Sequence, residues 1–322
     1  MYAVLCFMLL TSGSLLAQPA RTATDYPTRV VRWVVPFTPG ASNDVVARLL
    51  AQKLTETWGQ QVVIDNRAGA GGLVGADIVA KSTPDGYTLL LANPSSNAIN
   101  FAVRAKTPYK AEDLAPVLLL GWSPIMLVTN ATFPVAGVKD VIALAKAKPG
   151  QLSGGSSGTG GSSHLALELF KLLAGVDILH VPYKGAAPAI ADMIGGQVSL
   201  IFVTPVTAQP LIQGGKLRAL GVAGNARLAI YPEVRTLAEQ GLPGFDVLIW
   251  FGVSVPAGTP RPVVLKLNRD LQQTLQSADV RERFAALGFE PQGGSPERFA
   301  ALMKEDTERW SKVVKAANVR SE

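Results

Sequence analysis

The chain has 322 residues, of which 48% are hydrophobic, 7% aromatic and 17% charged. That composition can bury a large core, fits about two domains and excludes a disordered or tail-like chain. The net charge of +6 suits an anionic partner or simply a basic surface, and no run of Lys and Arg interleaved with aromatics marks a nucleic-acid-binding face.

The first residues, MYAVLCFMLLTSGSLLAQPA, hold an apolar segment too short and too interrupted for a membrane span. Small residues follow, with Ala17 before Gln18 as the cleavage point, so residues 1–17 read as a secretory signal peptide. No Lys or Arg precedes the apolar run, and the bulky Leu15 stands third before the cut, which keeps a buried N-terminal strand or helix as the alternative. The single cysteine, Cys6, falls in this segment. After cleavage the body has no thiol for a disulfide, a nucleophile or a metal site. An export signal on a cysteine-free body suits a bacterial periplasm. The longest later apolar stretch, 114–128, is broken by Pro116, Gly121 and Pro124 and does not read as a membrane span.

Beyond the signal, short apolar runs alternate with helical periodicity. Residues 30–36 (VVRWVVP) read as a buried strand, and Val46, Leu49, Leu50, Leu54 and Trp58 then recur at helical spacing. Strands follow at 62–65 and 87–92, with a crossover helix at 74–81 that ends before the Thr83-Pro84-Asp85-Gly86 turn. A second set has extended stretches at 116–120 and 125–128 and a helix at 138–148 that stops at Pro149-Gly150. A helix at 163–173, a strand at 178–181, a helix at 187–194 and strands at 198–203 and 217–222 complete it. The tail is helical from Pro262 and again from Pro296. Strand and helix in alternation predict an α/β fold with mostly parallel sheets and flanking helices. The stretches 118–128 and 247–255 read as crossings between lobes, so one lobe combines 25–122 with 248–322 and the other spans 123–247.

Ligands in such folds bind at the carboxyl ends of strands, where loops lead into helices. Three such loops stand out. In PFTPGASND, residues 36–44, Ser42 or Asn43 is placed to cap the helix and the free N–H groups of its start suit an anion; the plainer reading is an ordinary turn. In GGSSGTGGSSHL, residues 154–165, glycines bring backbone close to a ligand, and Ser156, Ser157, Thr159, Ser162 and Ser163 add hydroxyls ahead of a helix; a flexible surface loop is the alternative. In HVPYKGAAPA, residues 180–189, Lys184 offers a cation to an anion or stands as a solvated charge beside Gly185.

Enzyme motifs fail in turn. Gly154-Gly155-Ser156-Ser157-Gly158 matches G-x-S-x-G, but the chain's two histidines are His164 and His180, and His180 follows Ser156 too closely for a hydrolase sheet. No Lys follows Gly160-Gly161 as a P-loop needs, Ser163 replaces the third dinucleotide-loop Gly, and no close metal-ligand cluster is present. Neutral donors without general bases, cofactor motifs or metal ligands point to binding without turnover.

With these residues collected, the chain resembles the Bug family, the periplasmic solute receptors of tripartite tricarboxylate transporters. The resemblance runs from Tyr26 to Trp310. It is most specific in VIDNRAGAGGLVGADIVAKSTPDGYTLL, and extends through YPTRVVRWVVPF, GKLRALGVAG, PEVRTLAEQGLPGF and WFGVSVPAGTP. It implies a monomeric two-lobed flytrap closing on a small carboxylate and docking on a membrane permease, or on a membrane sensor kinase in a signalling variant. It also implies contacts from Phe37, Thr38, Pro39 and Gly40 on one lobe and from Ser156, Gly158, Thr159, Gly160 and Ser162 on the other. Ser95 and Ser96 would line the same cleft, and His164 would pack or fix its loop. Ala41 and Ser42, Ser157 and Gly161, Lys184 and Gly185, and Val203 and Thr204 complete the candidate set. Val203 stands where many relatives carry Asp, which argues against an amino-acid ligand and for a plain carboxylate with an apolar or aromatic body.

Overall fold

A computed structural model of the protein describes residues 25–316. Residues 1–17, read above as a signal peptide, and Cys6 among them lie outside the described residues. Within them the chain builds two sheets with helices packed on their faces.

The first half lays down β1 (Val31–Val35), α1 (Ser42–Trp58), β2 (Val62–Asn66), α2 (Leu73–Ala80) and β3 (Thr88–Ala92), then the short α3 (Asn100–Val103). Parallel pairing of β1 with β2 and β3 is the product of the α1 and α2 crossovers. In β1, Val31, Trp33, Val34 and Val35 are all fully buried, because helices cover both faces.

Next comes β4 (Leu114–Pro124), an eleven-residue strand that leads to the second sheet. One residue, Ile125, separates it from β5 (Met126–Asn130). Then follow α4 (Val138–Ala147), β6 (Ser153–Ser156), α5 (Ser162–Ala174), β7 (Leu179–Pro182), α6 (Ala186–Ile194), β8 (Leu200–Val203), α7 (Pro205–Gln213) and β9 (Leu217–Val222). The chain returns through β10 (Leu248–Pro256) and ends in α8 (Arg261–Gln276), α9 (Ala278–Ala286), β11 (Glu290–Pro291) and α10 (Pro296–Ala316).

The strand orders are β11-β4-β10-β3-β1-β2 and β7-β6-β8-β5-β9. Both sheets are mixed. Parallel pairs occur in the strand-helix-strand units, and antiparallel pairs occur where the crossing strands β4, β5 and β10 enter. β4 and β10 lie side by side from Leu248↔Pro124 to Pro256↔Leu114, and Ile125 N–H donates to Val247 O at 3.2 Å where both leave the first sheet. One buried apolar cluster continues through these strands, from Trp33 and Leu89 by way of Ile125 and Ile249 to Phe170 and Phe202.

The C-terminal helix returns to the first sheet. Gly252 of β10 leaves room for the Phe299 ring, since a Cβ there would stand 2.2 Å from Phe299 Cζ. Phe299 meets Trp250 edge to face at 5.3 Å. Buried Asp306 accepts the indole N–H groups of Trp250 (2.8 Å) and Trp310 (3.1 Å) and pairs with Arg309 at 2.7 Å. Asp306→Ala strands two buried indole donors, and we expect a loss of about 2–4 kcal/mol with an unchanged slope in urea unfolding.

Candidate ligand-binding cleft

Four strand ends deliver helix starts to one cleft between the sheets. Its walls carry Ala41, Ser42 and Asn43 at the start of α1, Ser162 and Ser163 of α5, Ala186 of α6, and Thr204 and Thr207 at α7. Asn93 and Ser95 reach it from the end of β3, and Ser157 from the end of β6. The apolar lining comes from Phe37, Phe202 and Val203 and from the crossing residues Ile125 and Ile249. The cleft is narrow as it stands, with a cavity volume of about 60 Å³ between its walls. Among the described residues, none that lines it is ionisable.

The loop after β1 is shaped by a buried carboxylate. Asp44 accepts Gly40 N–H, Arg48 Nε and Asn66 Nδ2, each at 2.9 Å. Burial alone would raise its pKa, but these bonds outweigh it and hold the carboxyl below its ordinary value. Neither Ser42 nor Asn43 caps α1, contrary to the sequence reading. The N-cap is Ala41, with no side-chain bond; Ser42 N–H instead donates to Thr207 Oγ1 from the other lobe's α7 at 3.0 Å. Asn43 Oδ1 accepts Asn93 Nδ2 at 3.0 Å, which ties α1 to the end of β3.

The glycine-serine loop is held from behind. Ser156 is fully buried, with its Oγ 2.6 Å from His180 Nε2 and accepting Gly158 N–H at 3.2 Å. Gly160 N–H donates to His164 Nδ1 at 3.1 Å, and the two imidazoles stack at 3.8 Å. Ser157 N–H donates to Ser163 Oγ at 2.9 Å. The loop's front then meets the first sheet, where Ser162 N–H donates to Ser95 Oγ at 2.9 Å and the two hydroxyls also lie 2.9 Å apart.

The structure sorts the candidate residues. Phe37, Ala41, Ser42, Ser95, Ser157, Ser162, Val203 and Thr204 line the cleft. Ser96 does not, because its hydroxyl is engaged within its own turn by Asn93 and Asn97. Ser156 and His164 act behind the loop, and Gly158, Thr159, Gly160 and Gly161 form its backbone. Pro39, Gly40 and Lys184 are exposed and outside the lining, so Lys184 supplies no charge within it. Thr38 packs on Gly185 beside the cleft. Asn43, Asn93, Ile125, Ser163, Ala186, Phe202, Thr207 and Ile249 also line it. Of these, Asn43, Ser163 and Ala186 stood in loops already singled out; at the α7 start Thr204 was a candidate, but Thr207 had no such signal.

The arrangement presents hydroxyls, amides and the positive ends of helices without a charged partner, which favours a small anion. The Ser156–His180 pair is no nucleophile for this cleft, because Ser156 is wholly buried behind the loop.

Two sheets joined by adjacent crossing strands around a donor-lined cleft form the architecture of a periplasmic solute receptor. The model of the tripartite tricarboxylate transporter family receptor matches residues 46–319, and the chain belongs to that family, whose members are receptors and not enzymes. A solved R. palustris protein with adipate is similar at 38% identity and a TM-score of 0.89, over 92% of this chain and 99% of that one. The periplasmic binding protein BugD is similar at 34% and 0.89, over 92% and 100%. MatC from Rhodopseudomonas palustris, with bound malate, is similar at 35% and 0.85, over 90% and 100%.

Burial pushes the His164 imidazole down to about 3, helped by His180 and Lys171, and burial pushes His180 down to about 4. Their ordinary value is 6.5, so below that pH the unfolded chain binds more protons. Their contribution is therefore complete above 6.5 and is lost as the pH falls toward 4 and then 3. We expect urea midpoints to drop more steeply between pH 7 and pH 4 in the wild type than in a His164→Phe/His180→Phe variant.

Proposed function

We propose that this protein, working as a periplasmic monomer exported by its N-terminal segment, captures a small carboxylate and delivers it to the permease of a tripartite tricarboxylate-type transporter. Its two lobes are the first sheet with its helices, up to Pro124 and from Leu248 onward, and the intervening 125–247. The observation that carries the reading is the convergence of four helix starts on a cleft with no ionisable lining residue. Hydrogen bonds to an ionised acceptor are roughly twice as strong as neutral ones, so pre-placed N–H and hydroxyl donors hold a carboxylate without a cation. The adipate and malate in two similar proteins support a carboxylate as the ligand class.

The contacts we assign are Ser42 and Ser95 from one lobe and Ser157, Ser162 and Thr204 from the other. The ligand's body lies against Phe37, Ile125, Phe202, Val203 and Ile249. Val203 and the absence of any lining carboxylate disfavour a ligand amine. The ligand is thus a carboxylate with an apolar or aromatic body.

Thermal shift of the residue-18-onward protein against a panel of carboxylates and their amides tests this. An acid that raises the melting temperature while its amide does not is the expected result; shifts confined to neutral or cationic compounds would sink the reading. Val203→Asp should weaken the best acid by roughly tenfold or more, through like-charge repulsion in a partly dry cleft, and move the ranking toward amino acids. An unchanged ranking by calorimetry would remove Val203 from the specificity wall.

A further inference from the structure

The sheets touch each other at both sides of the cleft. On one side Gly71, in the turn before α2, faces the 157–161 loop. A Cβ on Gly71 would stand 3.0 Å from Thr159 O, and one on Gly158 would stand 3.1 Å from Gly71 N. On the other side Thr38 faces Gly185. A Cβ on Gly185 would fall 2.4 Å from Thr38 Oγ1, 2.5 Å from Cγ2 and 3.0 Å from Cβ. With Ser95 bonded to Ser162 and Ser42 to Thr207, the cleft stands in its closed arrangement.

Gly185 differs from the other glycines of this seam. Gly71, Gly158 and Gly160 have φ of 64°, 133° and 77°, where any side chain is strained. Gly185 has φ 161° and ψ 174°, extended backbone that other residues adopt. The three atoms nearest its missing Cβ all belong to Thr38 on the other sheet. The nearest obstruction to a side chain at 185 therefore comes from the opposite lobe and is met when the lobes are together.

We propose that Gly185 sets how far the cleft closes, and that its contact with Thr38 gauges the ligand-holding state. The proposal rests on the reading of the cleft as the ligand site. Thr38 Oγ1 is buried with no hydrogen-bond partner among the described residues. Covering it with Gly185 removes a hydroxyl from water, so this seam opposes closing until other contacts offset it. Gly185 acts on the ligand through the position of the α6 start, where Ala186 lines the cleft.

The test is disulfide trapping without ligand. In a Cys6→Ser background, Ser95→Cys and Ser162→Cys replace two hydroxyls that are 2.9 Å apart across the cleft, and the rate of crosslinking under mild oxidant reports the closed state. Adding Gly185→Ala should slow crosslinking roughly fivefold or more, and Gly185→Val should slow it further. Thr38→Ala should restore most of the rate to the Gly185→Ala protein, by removing the two nearest atoms. The melting temperature of reduced Gly185→Ala should stay within about 2 °C of its parent. An unchanged rate, a loss that Thr38→Ala does not relieve, a large drop in melting temperature or a parent pair that never crosslinks would each overturn the proposal. If no carboxylate binds the wild type, the transport reading falls while the trapping result still stands or fails by itself.

Discussion

Everything in this fold hangs on the pairing of β4 with β10. A chain that starts in one sheet, builds a second and returns must cross the gap twice, and each crossing exposes backbone donors and acceptors. Laying the two crossings side by side lets them satisfy one another, with Ile125 N–H on Val247 O at the point of departure. The same pairing returns the C-terminal segment, from Leu248 onward, to the first sheet, where Asp306 and Phe299 fasten α10 over Trp250. It also places Ile125 and Ile249 in the wall of the cleft, so the connection between sheets is itself part of the cleft's lining.

Around the cleft the labour is divided by depth. The groups at the front are neutral: hydroxyls and helix-start N–H groups. The groups that fix their positions are buried behind them. Asp44 gathers the loop after β1, and the stacked His164 and His180 hold Gly160 and Ser156. Charge is thus used for shaping the loops and kept out of the cavity, where a fixed cation would bind many anions and a fixed carboxylate would repel them.

The periodicity of apolar residues made most elements legible, and the loops after β1, β6 and β7 were identifiable because Gly, Pro and Ser cluster between a strand and a helix. Two crossings were readable from the apolar stretches near 118–128 and 247–255, although β4 continues unbroken to Pro124 through Gly121 and Pro116. The direction of a hydroxyl was not legible. Ser95 and Ser96 are neighbours, yet one reaches Ser162 across the cleft and the other turns back on Asn93. Ser156 and Ser157 divide in the same way between His180 and the cleft. Thr204 was a candidate, but the α7 helix that follows it was hidden for another reason. Thr204-Pro205 followed by Pro210 looks like a break in the pattern, whereas Pro205 occupies the first turn and Pro210 sits within the helix. Lys184 fits an anion site by charge and position along the chain, but the fold turns it to solvent.

In the closed arrangement several of the cleft's own donors are already occupied by one another, while the Thr204 hydroxyl has no partner among the described residues. Ser162 N–H and Oγ lie on Ser95 Oγ, and Ser42 N–H lies on Thr207 Oγ1. A guest that calls on these donors must therefore compete with an internal mimic made of neutral oxygens. An alcohol or an amide offers an acceptor no better than the serine it displaces, so the exchange gains almost nothing. An ionised oxygen forms the stronger bond and wins. Self-occupancy of this kind works as a threshold: it subtracts the same amount from every ligand and leaves a net affinity only for those whose charge exceeds it.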